Sequence, residues 1–214
     1  MSIFKDLFRS FKIAVATGVG KINWKTDNVI NAADLDAIRS QLKDNYYIIL
    51  TRHDGHLSTY AIALAHFLIT GKWGYYSHVL LNIEDKVTSD DEYEFLQSTA
   101  VGVKYAKFAE VFDQQCGSVA LLKPRGVSID EWTDILDRSR TDIGKPYDLA
   151  MDPSQTVKLN CVELVRDALK GESNYATDFT ALESTVAKYK ALDPQMIYEC
   201  EDFEIVWEGR ISKK

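Results

Sequence analysis

Stretches with helical apolar spacing alternate along the chain with short β-rich runs. Residues 30–43 place Ala33, Leu35, Ile38 and Leu42 at helical intervals. A compact strand pattern follows at 46–50, then the polar loop Thr51-Arg52-His53-Asp54-Gly55-His56. Residues 57–70 predict a strongly apolar helix stopped by Gly71. Two strands are predicted at 75–83 and 93–97 across a charged turn, then a short helix at 107–114 and a strand at 118–122. Ser128 and Glu131 have capping-box spacing, so a helix starts there. Its expected buried stripe is Ile129, Trp132, Ile135, Leu136 and Ile143, and Gly144 and Pro146 close it. Asn160 and Glu163 repeat the spacing at the head of a helix over 161–170, with Val162, Val165 and Leu169 on one face and Gly171 at its end. Another helix is predicted at 179–189, and strands at 196–200 and 203–208.

Helices and strands interleave, and hairpin-like strand pairs dominate the middle, which predicts an α+β fold rather than a doubly wound sheet. No repeat, low-complexity tract or linker divides the chain. Its 214 residues suit one domain, over 30–214, with residues 1–29 as an amphipathic helix or extension. Ile3, Phe4, Leu7, Phe8 and Phe11 line one face there, with Lys5, Arg9 and Lys12 elsewhere. The expectation is an ordinary first helix packed on the domain; the alternative is a membrane-surface or protein-docking helix. As a signal peptide the segment is poor, because charges run to Lys12 and the apolar stretch after it is short.

Composition narrows the function. Hydrophobic residues make up 46% and charged residues 27%, enough apolar mass for a real core. The net charge of −7 argues against nucleic acid as a partner. No stretch reaches the ~18 apolar residues of a spanning helix. Cys116, Cys161 and Cys200 are too few and scattered for a disulfide framework, and no CxxC pair suggests structural zinc. A reducing, cytoplasmic compartment is the simplest expectation, with delivery to a virion or another cell as the alternative.

Cys161 carries the candidate chemistry. A thiol on the first turn of a helix feels the positive end of the helix dipole and unpaired N–H groups, and both favour the thiolate. The bland alternative is a buried cysteine acting as a small hydrophobe, which is how Cys116 and Cys200 read, as strand-end thiols. A cysteine nucleophile needs a base. His66 lies within the apolar helix and reads as a hydrogen-bonded core histidine. His53 and His56 lie on a loop and lack a third ligand at sensible spacing, so no metal site is expected. His78, near the start of a strand, is held rigidly enough to face a helix terminus.

Three blocks then carry a resemblance: Tyr76-Ser77-His78-Val79, Gly144-Lys145-Pro146-Tyr147-Asp148, and Asn160-Cys161-Val162-Glu163-Leu164-Val165. Together, and in this order, they resemble the signature blocks of the permuted papain-like cysteine hydrolases, in the YiiX-like branch of the NlpC superfamily. The similarity spans about residues 46 to 207 and includes the Asp193-Pro194 step. It implies a circularly permuted papain-like fold, with an antiparallel sheet packed against helices that include the cysteine helix. It implies Cys161 as nucleophile, His78 as base and Gln97 as the residue that orients the imidazole, with Glu94 the other candidate on the opposite strand face. Ser77, Tyr147 and Asp148 are implied as cleft residues. The sequence departs from the pattern at Val162, where serine is usual, and at Gln97, which orients a ring without supplying negative charge. Glu163 matches a family glutamate, and capping alone accounts for it.

The function so implied is a thiol hydrolase of amidase or peptidase type, acting on a peptide-like or acyl substrate through an acyl-enzyme, without a cofactor. The alternatives are an acyltransferase or thioesterase on lipid-linked substrates, and an inactive binding module or virion or effector component that keeps the fold.

Overall fold

Strand side chains alternate between two apolar cores, one on each face, so one sheet organises the molecule. The computed structural model describes residues 30–43, 45–83, 94–113, 115–148, 157–170, 179–189 and 191–210; the helix expected at 1–29 lies outside them. Six strands, β1 (Ile48–His53), β2 (His78–Asn82), β3 (Glu94–Thr99), β4 (Gly102–Lys107), β5 (Cys116–Pro124) and β6 (Phe203–Arg210), form one sheet in the order β4-β3-β2-β1-β5-β6. Every neighbouring pair is antiparallel, as the α+β expectation requires.

Seven helices lie among the described residues: α1 (Ala32–Leu42), α2 (Leu57–Thr70), α3 (Phe108–Val111), α4 (Ile129–Arg140), α5 (Cys161–Leu169), α6 (Thr180–Tyr189) and α7 (Pro194–Tyr198). Ile48, Leu50, Val79, Leu81 and Leu96 face a core built with Leu136, Leu164, Val165, Leu182 and Ile197 of α4–α7. Ile49, Leu80, Phe95 and Leu121, on alternate positions, face Ile38 and Leu42 of α1 and Phe108 and Val111 of α3. The central strands β1 and β2 are thus covered on both sides and buried along nearly their whole length.

Helix starts follow the capping chemistry. Asn31, Ser128 and Asn160 each close a capping box with Asp34, Glu131 and Glu163. α2 ends at Gly71, whose φ of 78° provides the left-handed cap.

Four expectations need correction. Residues 196–200 are not a strand; Asp193 caps α7 and Pro194 occupies its first turn. The edge strand β4 was not predicted. In α4, Trp132, Ile135 and Leu136 are buried, whereas Ile129 is exposed at the first turn and Ile143 lies exposed beyond the helix end. Cys116 does sit at a strand end, but Cys200 follows α7 instead.

Candidate active site

The site forms where β2 and β3 part. Their register pairs Leu81 with Leu96 and Asn82 with Phe95, and pairing stops there on the way to His78. α5 packs across both strands, so its N-terminus and Cys161 lie over this opening. The backbone N–H of Val79, next to His78, interacts with the Cys161 sulfur, as do the N–H groups of Cys161 and Val162 at the helix head.

Strand parity explains the second contact. His78 alternates with Leu80 on the face of β2 turned to α1 and α3, opposite the face that α5 covers, so His78 and Cys161 share the cleft only at the strand end. Gln97 alternates with Phe95 on β3, on the same face of the sheet as His78. The two polar side chains therefore meet, and Nε2 of His78 donates to Oε1 of Gln97 at 2.8 Å. With Nε2 protonated, the lone pair of the neutral ring is on Nδ1. Glu94 is three residues away at the other end of β3, opposite Lys107. Among the described residues no direct hydrogen bond joins the Cys161 thiol to the His78 ring. Catalytic hydrogen bonds are often long without substrate and tighten when it binds.

His78, Gln97, Ser77, Tyr147, Asn160 and Cys161 all line one cleft of about 510 Å³. Ser77 Oγ lies 3.1 Å from Thr59 Oγ1, which donates to the His53 carbonyl at 2.7 Å and ties α2 to the sheet end. Tyr147 reaches the cleft because the turn before it is pinned to β4: Val103 N–H donates to the Lys145 carbonyl at 2.9 Å, and Gly144 N–H to the Val103 carbonyl at 3.0 Å. Asp148 is buried and does not line the cleft; its charge falls on Tyr147 and Glu163.

Burial dominates the electrostatics. It lowers the His78 pKa to about 4, opposed by the Gln97 hydrogen bond and reinforced by nearby His53. It pushes the Cys161 thiol up to about 12, with the Glu163 charge acting the same way. The N–H groups of Val79, Cys161 and Val162 favour the thiolate but do not outweigh the desolvation. The thiolate expected from the helix head is therefore corrected: thiol and imidazole rest as a neutral pair. Glu163, 4% exposed, accepts from the Asn160 N–H at 2.9 Å, and burial pushes its carboxyl up to about 7. Burial also raises Tyr147, near the charges of Cys161, Glu163 and Asp148, and keeps it a phenol.

His66 is the core histidine the pattern implied, fully buried with Nδ1 2.9 Å from Asp193 Oδ2. Sequence reasoning missed other parts of the cleft. His53 lies at the end of β1 beside Asp113, with Nε2 3.6 Å from Oδ1, and both residues line the wall with His56. The register Thr51↔His78 was the only signal for this, and it needs the strand order. Lys104 and Glu110, paired at 3.2 Å, also line the cleft.

No family model matches the sequence, and no curated protein matches it. Among solved structures, the metalloprotein YiiX from Escherichia coli O157:H7 is similar, with a TM-score of 0.55, 15% identity, and coverage of 79% of this chain and 99% of that one. At this identity the likeness concerns the fold alone: the chain has a YiiX-like α+β fold.

Proposed function

We propose that the chain is a cysteine hydrolase of permuted papain-like type that works through an acyl-enzyme. The observation that carries this reading is that Cys161, His78 and Gln97 line one cleft, with His78 Nε2 held by Gln97 and Nδ1 left as the base. Because the resting pair is neutral, attack and proton transfer are coupled. As Sγ bonds the substrate carbonyl carbon, its proton passes to Nδ1, and the imidazolium then protonates the leaving group. Gln97 can orient that imidazolium and stabilise it by its carbonyl dipole, though less than a carboxylate would. The Cys161 N–H is the oxyanion donor in this scheme, and Tyr147 lines the same cleft. Water then takes the place of the leaving group, or another acceptor does.

The neighbour's title calls YiiX a metalloprotein. Among the described residues here, no group of three or more His, Cys, Asp or Glu is placed to hold a metal ion. His56 Nε2 is engaged by Gln115 Oε1 rather than turned toward His53 and Asp113. The described donor set does not fit such a centre, and no step is routed through one.

A second reading is a binding module with this fold. It is favoured by the burial that holds the Cys161 thiol neutral. One experiment separates the two: incubation with a panel of activated acyl esters and amides, followed by intact-mass analysis of the wild type and Cys161→Ala. The hydrolase reading predicts an acyl adduct or turnover lost in Cys161→Ala. Identical behaviour of the two proteins favours the binding module.

A further inference from the structure

We propose that His53, backed by Asp113, is a second base of the cleft and takes the proton of the water that clears the acyl-enzyme. This rests on the hydrolase reading above and divides its two halves between two histidines. His53 closes β1, two residues beyond Thr51, which lies opposite His78 in the ladder. His53, Asp113, His78 and Cys161 line the same cleft. The partners of the two rings differ. His78 Nε2 has an uncharged amide, that of Gln97. His53 Nε2 faces a carboxylate, with Asp113 Oδ1 at 3.6 Å. That distance is long for a direct hydrogen bond and fits a water that donates to both atoms, leaving its lone pairs for the acyl carbon. Asp113 is itself fixed, since its Oδ1 accepts from the Gln115 N–H at 2.8 Å. His56 Nε2 is engaged by Gln115 Oε1 and does not compete for the carboxylate. Asp113, the Val111 carbonyl and Asp54 favour the imidazolium of His53, while burial and the neighbouring His56 oppose it. Burial prevails, so the ring is neutral at rest with acceptors in place for a proton. A carboxylate stabilises imidazolium more than an amide does, which gives the water to His53 and the thiol to His78. The charge of one ring disfavours charge on the other, so His53 takes its proton after His78 has released its own.

The step balances with water as the only reactant. The water oxygen bonds the acyl carbon as one of its protons passes to His53 Nε2, the ring's first proton being on Nδ1. The C–S bond breaks and its electron pair leaves on Sγ, which the N–H groups of Val79, Cys161 and Val162 receive. His53 then returns its proton to Sγ through the water of the cleft, and the released acid keeps the other proton.

Single-turnover reaction with p-nitrophenyl acetate tests this in the wild type, His53→Gln and Asp113→Asn. Release of p-nitrophenol reports acylation, and intact mass reports loss of the acyl group from Cys161. His53→Gln acylates within about threefold of the wild type and loses the acyl group at least about thirtyfold more slowly, so the adduct accumulates. Hydroxylamine, a nucleophile that is neutral at pH 7, clears the wild-type and His53→Gln adducts at similar rates, which a distorted site does not allow. Asp113, 43% exposed, tolerates substitution, and Asn keeps an oxygen for the Gln115 N–H. Without the anion the imidazolium is less favoured, so in Asp113→Asn the acid limb of the deacylation–pH profile falls by about one pH unit and acylation is unaltered. Clearance at equal rates in wild type and His53→Gln, or equal slowing of both halves, overturns the assignment and spares the hydrolase reading. Should His53→Gln not fold, a deacylation profile identical in Asp113→Asn and wild type overturns the assignment. Neither p-nitrophenol release nor a Cys161 adduct in any of the three proteins overturns both readings.

Discussion

The His78 ring is tethered at Nε2 by the Gln97 amide oxygen, 2.8 Å away, across strands that have already stopped pairing. An amide in this place fixes the tautomer without adding charge. Gln97→Ala is expected to lower kcat/KM by about ten- to a hundredfold, because the ring loses its orientation. Gln97→Glu places a carboxylate beside a ring whose pKa is lowered to about 4. An anion stabilises imidazolium, so the acid limb of the kcat/KM–pH profile, which reports loss of the neutral base, moves up by roughly one to three pH units. A profile unchanged by Gln97→Glu contradicts the tether.

The Cys161 thiol, pushed up to about 12 by burial, predicts slow alkylation at neutral pH. Labelling by iodoacetamide, located by peptide mass mapping, is expected to be slower at Cys161 than for a small-molecule thiol at pH 7. It should keep rising with pH beyond about 9, where an ordinary thiol with a pKa of about 8.5 levels off. Rapid labelling at pH 6 contradicts the neutral pair.

Glu163 predicts a distinct stability profile. Its folded carboxyl titrates at about 7, above the ordinary value of 4.5. The folded state therefore holds the proton more tightly, and the associated stability is complete below pH 4.5 and lost as pH rises toward 7. Glu163→Gln keeps a residue type suited to the capping box and removes this titration. Denaturant melts should show the wild type losing up to roughly 3 kcal/mol across that window, and the variant losing less.

Gly102 has a φ of 106°, and a Cβ there would lie 2.5 Å from the Lys145 carbonyl oxygen. That carbonyl accepts from Val103, and the contact places the Tyr147 turn. Gly102→Ala is expected to cost at least about 1 kcal/mol in thermal melts, since it adds a clash to an unfavourable backbone conformation. It should also reduce turnover by displacing Tyr147. A variant with native melting and native activity contradicts this role for the turn.

These relationships were unevenly legible in the sequence. Capping chemistry is local, so the starts of α4 and α5 could be read from Ser128-Glu131 and Asn160-Glu163 alone. β4 was hidden because an edge strand buries its residues irregularly, and Gly102–Lys107 has no clean alternation. α7 was mistaken for a strand because Met196-Ile197-Tyr198 is apolar and β-rich, although Asp193 and Pro194 were a capping signal in plain view. At the site, the order of the blocks suggested Cys161 and His78, the strand after the histidine strand suggested Gln97 with Glu94 as the alternative, and strand parity brings His78 and Gln97 together. The state of the thiol was not legible, because desolvation depends on what three-dimensional packing places around Sγ, and here it outweighs the helix head.

The central claim is that Cys161 is acylated with His78 as its base. The most direct measurement is intact and peptide mass spectrometry after reaction with an acyl p-nitrophenyl ester, quenched at early times, for wild type, His78→Ala and Cys161→Ala. The account predicts a single acyl adduct on the peptide that holds Cys161, formed at least a hundredfold more slowly in His78→Ala and absent in Cys161→Ala. An adduct on Cys116 or Cys200 alone, or none on any cysteine despite hydrolysis, would contradict it.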